Sequence, residues 1–304
     1  MRPFFIWKNL CGHFRSFIEH FSVCLIKGVH MKIALGLIFA LLTSFSFANE
    51  GIGSKESNLL KIEGKRLWGD RVNENSLQEA LSKFELALQG SPEDLETLTY
   101  LTRGYYLLGD LHQTNKDLQK KSFERAREYG ERGLNLNEEY KKEAGRDIEK
   151  ALLKLQDKEV AIAFWTAAAL GKWSRLNRIF SSMKYKNQIL STIKQVEKMR
   201  PDFYYGAVPR YWGGFYAVAP GIAGGSMKKS KENFKKAMEM APEYLGTKVL
   251  YAELYLVEKK EKKEFKEILL EVLAAPNGPQ EIVPENMLEK KKAERLLEEI
   301  DKLF

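Results

Sequence analysis

The chain has 304 residues, of which 44% are apolar, enough for a folded core and too many for a disordered chain. Half of its net charge of +8 lies in residues 1–48, so that residues 49–304 carry 44 basic and 40 acidic side chains, a net charge of +4. A balance this close to neutral gives no reason to expect a nucleic-acid partner.

The N-terminal region contains an export signal that begins at Met31. Lys32 is followed by the apolar run Ile33–Leu42 and then by small residues that end at Ala48, an order typical of a secretory signal peptide. The apolar run is shorter than the roughly 20 residues of a membrane span. We therefore predict a cleaved signal peptide, with an uncleaved N-terminal anchor as the alternative.

The same reasoning divides the chain into three parts. Residues 1–30 match no targeting pattern, and we predict that they are not translated or not structured, since translation from Met31 would remove them. Residues 31–48 are the predicted signal peptide, and residues 49–304 are predicted to form a single helical-repeat domain. No cysteine follows the apolar run as a site for lipidation, so we expect a soluble periplasmic protein.

The predicted mature chain has little capacity for metal or thiol chemistry. Residues 49–304 contain no cysteine and one histidine, His112. Disulfides, thiolate nucleophiles and the usual zinc sites are thereby excluded. The surroundings of His112, GDLHQTNKD, are polar and predict a solvated surface side chain. We expect no metal and no cofactor.

One helical spacing recurs along residues 49–304. Apolar residues lie at i, i+3, i+4 and i+7, which places them on one face of a helix, and the alternation typical of strands is scarce. Four positions at successive offsets of four, three and five recur, with a bulky residue second and, in most copies, a proline last that ends the helix. The copies are Ala80, Phe84, Ala87 and Pro92; Ile189, Ile193, Val196 and Pro201; Ser230, Phe234, Ala237 and Pro242; and Phe265, Leu269, Val272 and Asn277.

This spacing resembles the second half of the tetratricopeptide repeat, whose first half follows each proline with bulky, apolar, small and aromatic positions. The starts are unequally spaced and the expected Trp is absent, so the repeats are degenerate; generic packing of amphipathic helices is the alternative. We predict an all-α fold of degenerate tetratricopeptide-like helical repeats, arranged as a superhelix or a bundle. The matching first halves are Leu98, Leu101, Thr102 and Tyr105, and Lys248, Tyr251, Ala252 and Tyr255.

Two central segments depart from the repeat spacing. The helix predicted at Arg125–Leu136 carries Gly130 and Gly133 at its packing positions, which would allow close helix contact. The run Val160–Leu170 is apolar on nearly every face, and such a helix is expected to be buried. At eleven residues it cannot span a bilayer.

An aromatic cluster follows Pro201. Aromatic side chains with an arginine are typical of recognition surfaces, so the cluster predicts a ligand or partner site; the alternative is repeat packing, with Arg210 capping a helix end. We expect Pro209, Gly213 and Gly214 to interrupt the helix here and Ser226 to cap the next one. The cluster consists of Tyr204, Tyr205, Arg210, Tyr211, Trp212, Phe215 and Tyr216.

The order of features in Pro201–Tyr255 is distinctive. Aromatic residues are followed by Pro-Arg-Tyr-Trp-Gly, a Pro-Gly turn, a Gly-Gly entry, then Ser-x-x-x-Phe-x-x-Ala and Ala-x-Leu-Tyr. In this order the segment resembles the T component (TatT type) of tripartite ATP-independent periplasmic transporters, or TRAP transporters. Weaker agreement covers most of residues 60–273, including the central helix with Trp165 and Trp173.

The resemblance implies a periplasmic protein of cryptic tetratricopeptide-like units that associates with the solute-binding protein of a TRAP transporter and can form homo-oligomers. It favours a binding site formed by an aromatic-lined passage, in which Arg210 pairs the carboxylate of an organic, partly apolar anion. The site residues predicted are Tyr204, Tyr205, Arg210, Tyr211 and Trp212, with Trp165 and Trp173 second. Lipid-anchored members carry an acylated cysteine that this sequence lacks.

No catalytic site is predicted. Paired carboxylates such as Glu138-Glu139 and Glu298-Glu299 lack the apolar setting that would separate their pKa values. The expected function is therefore binding. A periplasmic scaffold that holds a peptide or an envelope-assembly partner is the alternative function, and neighbouring genes for a solute-binding protein and a permease would decide against it.

Overall fold

The computed structural model describes residues 52–112, 114–177 and 179–304, without the side chains of residues 179–183. The predicted signal peptide and residues 1–30 lie outside this range. The described residues contain no strand, which confirms the predicted all-α class. A π-helical stretch, Ala252–Leu256, joins two of the helices. In chain order the helices are α1 (Ser54–Trp68), α2 (Glu74–Gly90), α3 (Leu95–Leu111), α4 (Lys116–Leu134), α5 (Glu138–Ala144), α6 (Ile148–Leu152), α7 (Val160–Leu176), α8 (Ile179–Met199), α9 (Phe203–Val218), α10 (Met227–Met240), α11 (Gly246–Tyr251), α12 (Val257–Lys259), α13 (Lys262–Ala274), α14 (Val283–Glu298) and α15 (Ile300–Leu303).

The helices pack as successive pairs, as the repeat spacing predicts. α1 packs on α2, α3 on α4, α7 on α8, α9 on α10, and the π-containing segment on α13. The second helix of four pairs carries the predicted spacing, and the members of that spacing within the helix are buried. Burial of these one-sided faces between neighbouring pairs is what holds a repeat protein together. The buried members are Ala80, Phe84 and Ala87; Ile189, Ile193 and Val196; Ser230, Phe234 and Ala237; and Phe265, Leu269 and Val272.

The central helix α7 is buried on almost every face, as predicted. It contacts α4 where α4 carries glycines: a Cβ added at Gly130 would lie 2.0 Å from Thr166 Oγ1, and one added at Gly133 would lie 2.1 Å from Ile162 Cδ1. A side chain at either position would force Thr166 or Ile162 to shift. The glycines therefore fix how closely α4 and α7 approach.

The interruption of α9 lies earlier than the sequence predicts. Tyr204, Tyr205 and Gly206 have φ values of 43°, 53° and 67°, in the left-handed region. The helix then runs through Pro209, Gly213 and Gly214 without a break, so the prediction that these residues interrupt it is wrong. Pro209 falls in the first turn after the break, where the N–H that proline lacks has no helical partner in any case.

Ser226 caps α10 as predicted. Its hydroxyl accepts a hydrogen bond from the backbone N–H of Lys229 at 3.3 Å, which satisfies one of the unpaired donors at the helix start.

Candidate functional site

Arg103 lies at the centre of a set of aromatic rings contributed by three helices. Its guanidinium carbon is 5.3 Å from the ring centre of Trp68, 5.4 Å from that of Trp165 and 4.5 Å from that of Tyr204. Cation–π attraction to each ring favours the charged guanidinium in a place where little water reaches it. Arg103 belongs to α3, and the rings belong to the end of α1, to α7 and to α9.

A carboxylate from α14 balances this charge. Glu285 accepts hydrogen bonds from Arg71 Nε at 2.9 Å, from Arg71 Nη2 at 2.6 Å and from Arg103 Nη2 at 2.8 Å. Arg71 and Glu285 are 4% and 5% exposed, so the ion pair is buried. Burial disfavours the carboxylate, but the bonds to Arg71 and the charges of both arginines outweigh it, and the pKa of Glu285 lies below its ordinary value.

These contacts join the first helix pair to helix α14 near the end of the chain. Arg71 lies between α1 and α2, whereas Glu285 is more than two hundred residues later on α14. Arg103 also donates to the hydroxyl of Tyr204 on α9. Helices from the beginning, the middle and the end of the chain therefore meet around this ion pair.

The left-handed turn at the start of α9 places its two tyrosines in the same region. Arg210, one and a half turns later, donates to the carbonyl of Tyr205 at 2.7 Å and to that of Tyr204 at 3.5 Å. Left-handed backbone is unfavourable for a residue with a side chain. The guanidinium of Arg210 stabilises the turn because it satisfies the carbonyls that the turn removes from the helix.

Tyr244 connects this turn to the C-terminal helices. Its ring lies 4.1 Å from the guanidinium carbon of Arg210 and stacks on Tyr205 at 5.9 Å between ring centres. Tyr204 meets Trp165 edge to face at 5.3 Å and Tyr244 at 5.8 Å. We call this set of residues the aromatic–arginine group. It consists of Trp68, Arg71, Arg103, Trp165, Tyr204, Tyr205, Arg210, Tyr244 and Glu285.

The comparisons with known proteins decide the family. A family model described as the TRAP transporter T-component matches residues 110–304. The match covers well over half of the chain. The chain belongs to the TRAP transporter T-component family. The resemblance found in Pro201–Tyr255 is thereby confirmed, and membership associates the chain with a TRAP transporter as a periplasmic component.

Solved structures bear on the fold of this T-component. A thermophilic TPR protein of Thermus thermophilus matches with a TM-score of 0.50 and 19% identity, over 79% of this chain and 98% of its own. At this identity the likeness shows the fold alone, and it confirms the tetratricopeptide-like prediction. No curated protein matches the chain.

Two further residues, Tyr211 and Glu289, bear on the candidate site. Tyr211 meets Phe164 of α7 edge to face at 6.4 Å, and burial raises its pKa above the ordinary value. Burial also raises the pKa of Glu289 on α14, although the charges of Lys292 and Arg210 oppose this rise. Glu289 Oε2 is buried and has no hydrogen-bond partner among the residues of the described ranges. A buried acceptor without a partner is a position that a ligand group can occupy.

Besides Tyr211, two of the predicted site residues lie outside the group. Trp212 is 6% exposed and its indole N–H donates to Glu197 of α8 at 3.0 Å, so it anchors α9 on α8. Trp173 is half-buried on α7, with the guanidinium carbon of Arg127 at 4.8 Å from its ring centre. Its indole N–H is buried and has no hydrogen-bond partner in the described part of the chain.

The structure therefore brings together Trp165, Tyr204, Tyr205 and Arg210 of the predicted set, with Tyr211 adjoining them. Sequence reasoning missed the residues that link distant helices. One signal was available, because Arg103 is a lone charge within the apolar run LTYLTRGYYLL of α3. The others carry no local signal in the sequence. The missed residues are Trp68, Arg71, Arg103, Tyr244, Glu285 and Glu289.

His112 is not the solvated side chain that its polar surroundings predict. Its side chain is 14% exposed, and Nε2 lies 2.9 Å from Glu74 Oε1 at the start of α2. Among the described residues no three His, Cys, Asp or Glu side chains are grouped so that they could hold a metal ion. None of the helices in the described ranges is both long and apolar enough to cross a membrane.

Proposed function

We propose that this protein docks onto the solute-binding protein of a TRAP transporter and helps to present or receive its organic ligand. Family membership supports the association with the transporter. The function proposed is binding and not catalysis, in keeping with a T component and a tetratricopeptide-like fold, which are non-catalytic kinds of protein. Concave repeat surfaces commonly serve such recognition.

The aromatic–arginine group favours an organic, partly apolar anion. It contains three guanidinium groups and one carboxylate, that of Glu285. Arg210 has no ion-pair partner within the described part of the chain, so its charge is available to a ligand carboxylate. The rings of Tyr204, Tyr205 and Tyr211 supply apolar surface beside that charge. This unpaired Arg210 among aromatic rings is the observation that carries the proposal.

The other predicted residues take supporting parts. Trp165 lies under Tyr204 and fixes its ring. Trp212 holds α9 against α8 through Glu197, next to Tyr211. Trp173, farther along α7, has a buried indole N–H without a hydrogen-bond partner in the described part of the chain. The set proposed for ligand or partner binding is Tyr204, Tyr205, Arg210, Tyr211, Trp212, Trp165 and Trp173.

We expect Arg210→Ala to weaken binding of the solute-binding protein in its ligand-loaded state by about 1 to 2 kcal/mol or more, because a charge-assisted hydrogen bond in a partly dry site is lost. Trp212→Ala is also expected to weaken this binding, because it removes the contact that holds α9 on α8. Calorimetric titration against the solute-binding protein, with and without its ligand, measures both effects.

The matched control is Arg200→Ala, which removes an exposed arginine at the end of α8 that pairs with Asp157. It should bind as the wild type does. Arg210 also donates hydrogen bonds to the carbonyls of Tyr204 and Tyr205, so its loss could disturb the fold. Far-ultraviolet circular dichroism must therefore show that the helix content of the variant is unchanged. If Arg210→Ala and Trp212→Ala stay folded and bind like wild type, the cluster is packing and the proposed site is wrong.

Export is a separate prediction. We expect the mature protein to begin at Asn49 and to carry no fatty acid, because the signal pattern ends at Ala48 without a cysteine to acylate. N-terminal sequencing and mass determination of the exported protein measure this. A first residue before Met31, or an acylated chain, would contradict it.

A further inference from the structure

A groove between α10 and the segment 255–259 is rich in lysine. It has a volume of about 440 Å³ and is lined by four lysines and one carboxylate residue, Glu232. None of the four lysines has an ion-pair partner in the described part of the chain, whereas lysines on neighbouring α13 do pair. We call these residues the lysine groove. Its lining is Met227, Lys228, Lys231, Glu232, Lys235, Tyr255 and Lys259.

The lysines at the start of α10 lie where the helix dipole disfavours positive charge. Lys228 and Lys229 lie in the first turn of α10, which has no acidic residue, although the positive end of the helix dipole favours carboxylates there. Lys228 and Lys231 are three residues apart, and Lys231 and Lys235 four, spacings at which like charges repel. An anionic partner would offset both effects.

An apolar tip lies in the turn that leads into α10, whose first residues line the lysine groove. The turn between α9 and α10 presents Ile222 with 99% of its side chain exposed, and Val218 beside it is 47% exposed. The turn is held by backbone bonds, from Ser226 N to the Tyr216 carbonyl at 2.9 Å and from Gly225 N to the Pro220 carbonyl at 3.0 Å. Ile222 is therefore displayed on a fixed turn.

We propose that the lysine groove and Ile222 form a docking surface for an anionic lipid membrane. Ile222 enters the boundary between headgroups and acyl chains, while Lys228, Lys231 and Lys235 contact lipid phosphates. An exposed apolar tip flanked by lysines is the combination that binds at membrane surfaces. A purely electrostatic protein contact would use the lysines and leave a fully exposed isoleucine without a role. This surface is separate from Arg210 and does not depend on ligand binding.

The test is co-sedimentation of the purified protein with vesicles of phosphatidylcholine mixed with phosphatidylglycerol, and with vesicles of phosphatidylcholine alone. We expect binding to the anionic vesicles only, weakened by added salt. Because each lysine near an anionic surface contributes about a fivefold change in binding, the double variant Lys228→Glu, Lys231→Glu should bind at least tenfold more weakly. Ile222→Ser should weaken binding while leaving its salt dependence intact.

The matched control is the double variant Lys116→Glu, Lys121→Glu, which reverses two exposed and unpaired lysines on α4. It should bind anionic vesicles like the wild type. Equal weakening by the control, equal binding to neutral vesicles, or no binding to anionic vesicles would overturn the proposal. Loss of solute-binding-protein affinity in the groove variant, with vesicle binding unchanged, would assign the surface to a protein partner instead.

Discussion

Replacing Glu285 by alanine is expected to lower the free energy of unfolding by about 3 to 5 kcal/mol. The carboxylate is the ion-pair partner of both Arg71 and Arg103. Its removal leaves two guanidinium groups in the protein interior without an opposite charge, and it breaks the contact between α14 and the first repeats. Denaturant titration followed by circular dichroism measures the loss.

Glu294→Ala is the matched control, since Glu294 is exposed on the same helix and makes no ion pair among the residues described. We expect it to change stability little. The difference between wild type and Glu285→Ala should also depend on pH. Because the folded protein holds the pKa of Glu285 below its ordinary value of about 4.5, the stabilisation is fully present above that pH and is lost as the pH falls through the lower, folded-state pKa. A loss below 1 kcal/mol at neutral pH would contradict a buried ion pair.

The repeat fold could be predicted because its signal is local. The second helix of four pairs carries three positions of one face within eight residues, as in Ala80, Phe84 and Ala87. A spacing of three and four residues determines which side chains share a helix face, whatever the rest of the chain does. The glycines of α4 carried a similar signal, since close helix contact requires a missing side chain at fixed positions.

The charged centre of the candidate site could not be predicted in the same way. Arg71, Arg103 and Glu285 meet only because the stacked helix pairs bring α14 back to the first pair. The position of α14 depends on the rotation between every successive pair, which a short stretch of sequence does not determine. Arg103 in an apolar helix signals only that some partner exists, not that the partner is on α14.

The break in α9 shows a limit of residue-type rules. Proline and glycine predicted an interruption at Pro209, Gly213 or Gly214, but the left-handed residues are Tyr204, Tyr205 and Gly206. Tyrosine has no intrinsic preference for that conformation. The turn persists because Arg210 binds its carbonyls and because Tyr244 and Trp165 hold the two rings, which are tertiary contacts that a local rule does not contain.

Phe84→Ala and Phe234→Ala are each expected to lower the free energy of unfolding by about 3 to 5 kcal/mol. Both side chains are fully buried; Phe84 stacks on Tyr100 at 4.9 Å, and Phe234 meets Tyr251 edge to face at 5.7 Å. Thermal and denaturant unfolding measure the losses. Leu59→Ala, at a residue that is 59% exposed, is the control and should change stability by less than about 1 kcal/mol.

A glycine opposite each ring places these losses at the upper end of that range. A Cβ added at Gly64 would lie 2.6 Å from Phe84 Cε1, and one at Gly213 would lie 2.8 Å from Phe234 Cδ1. Since glycine has no side chain that could move into the space left by the ring, the cavity stays open. The same geometry predicts non-additivity: Gly64→Ala alone overpacks the contact and destabilises by about 1 to 3 kcal/mol, whereas in a Phe84→Ala background its methyl group enters the cavity and restores stability. If the two substitutions simply add, the ring of Phe84 does not lie on Gly64 and the packing of α1 on α2 is not as described.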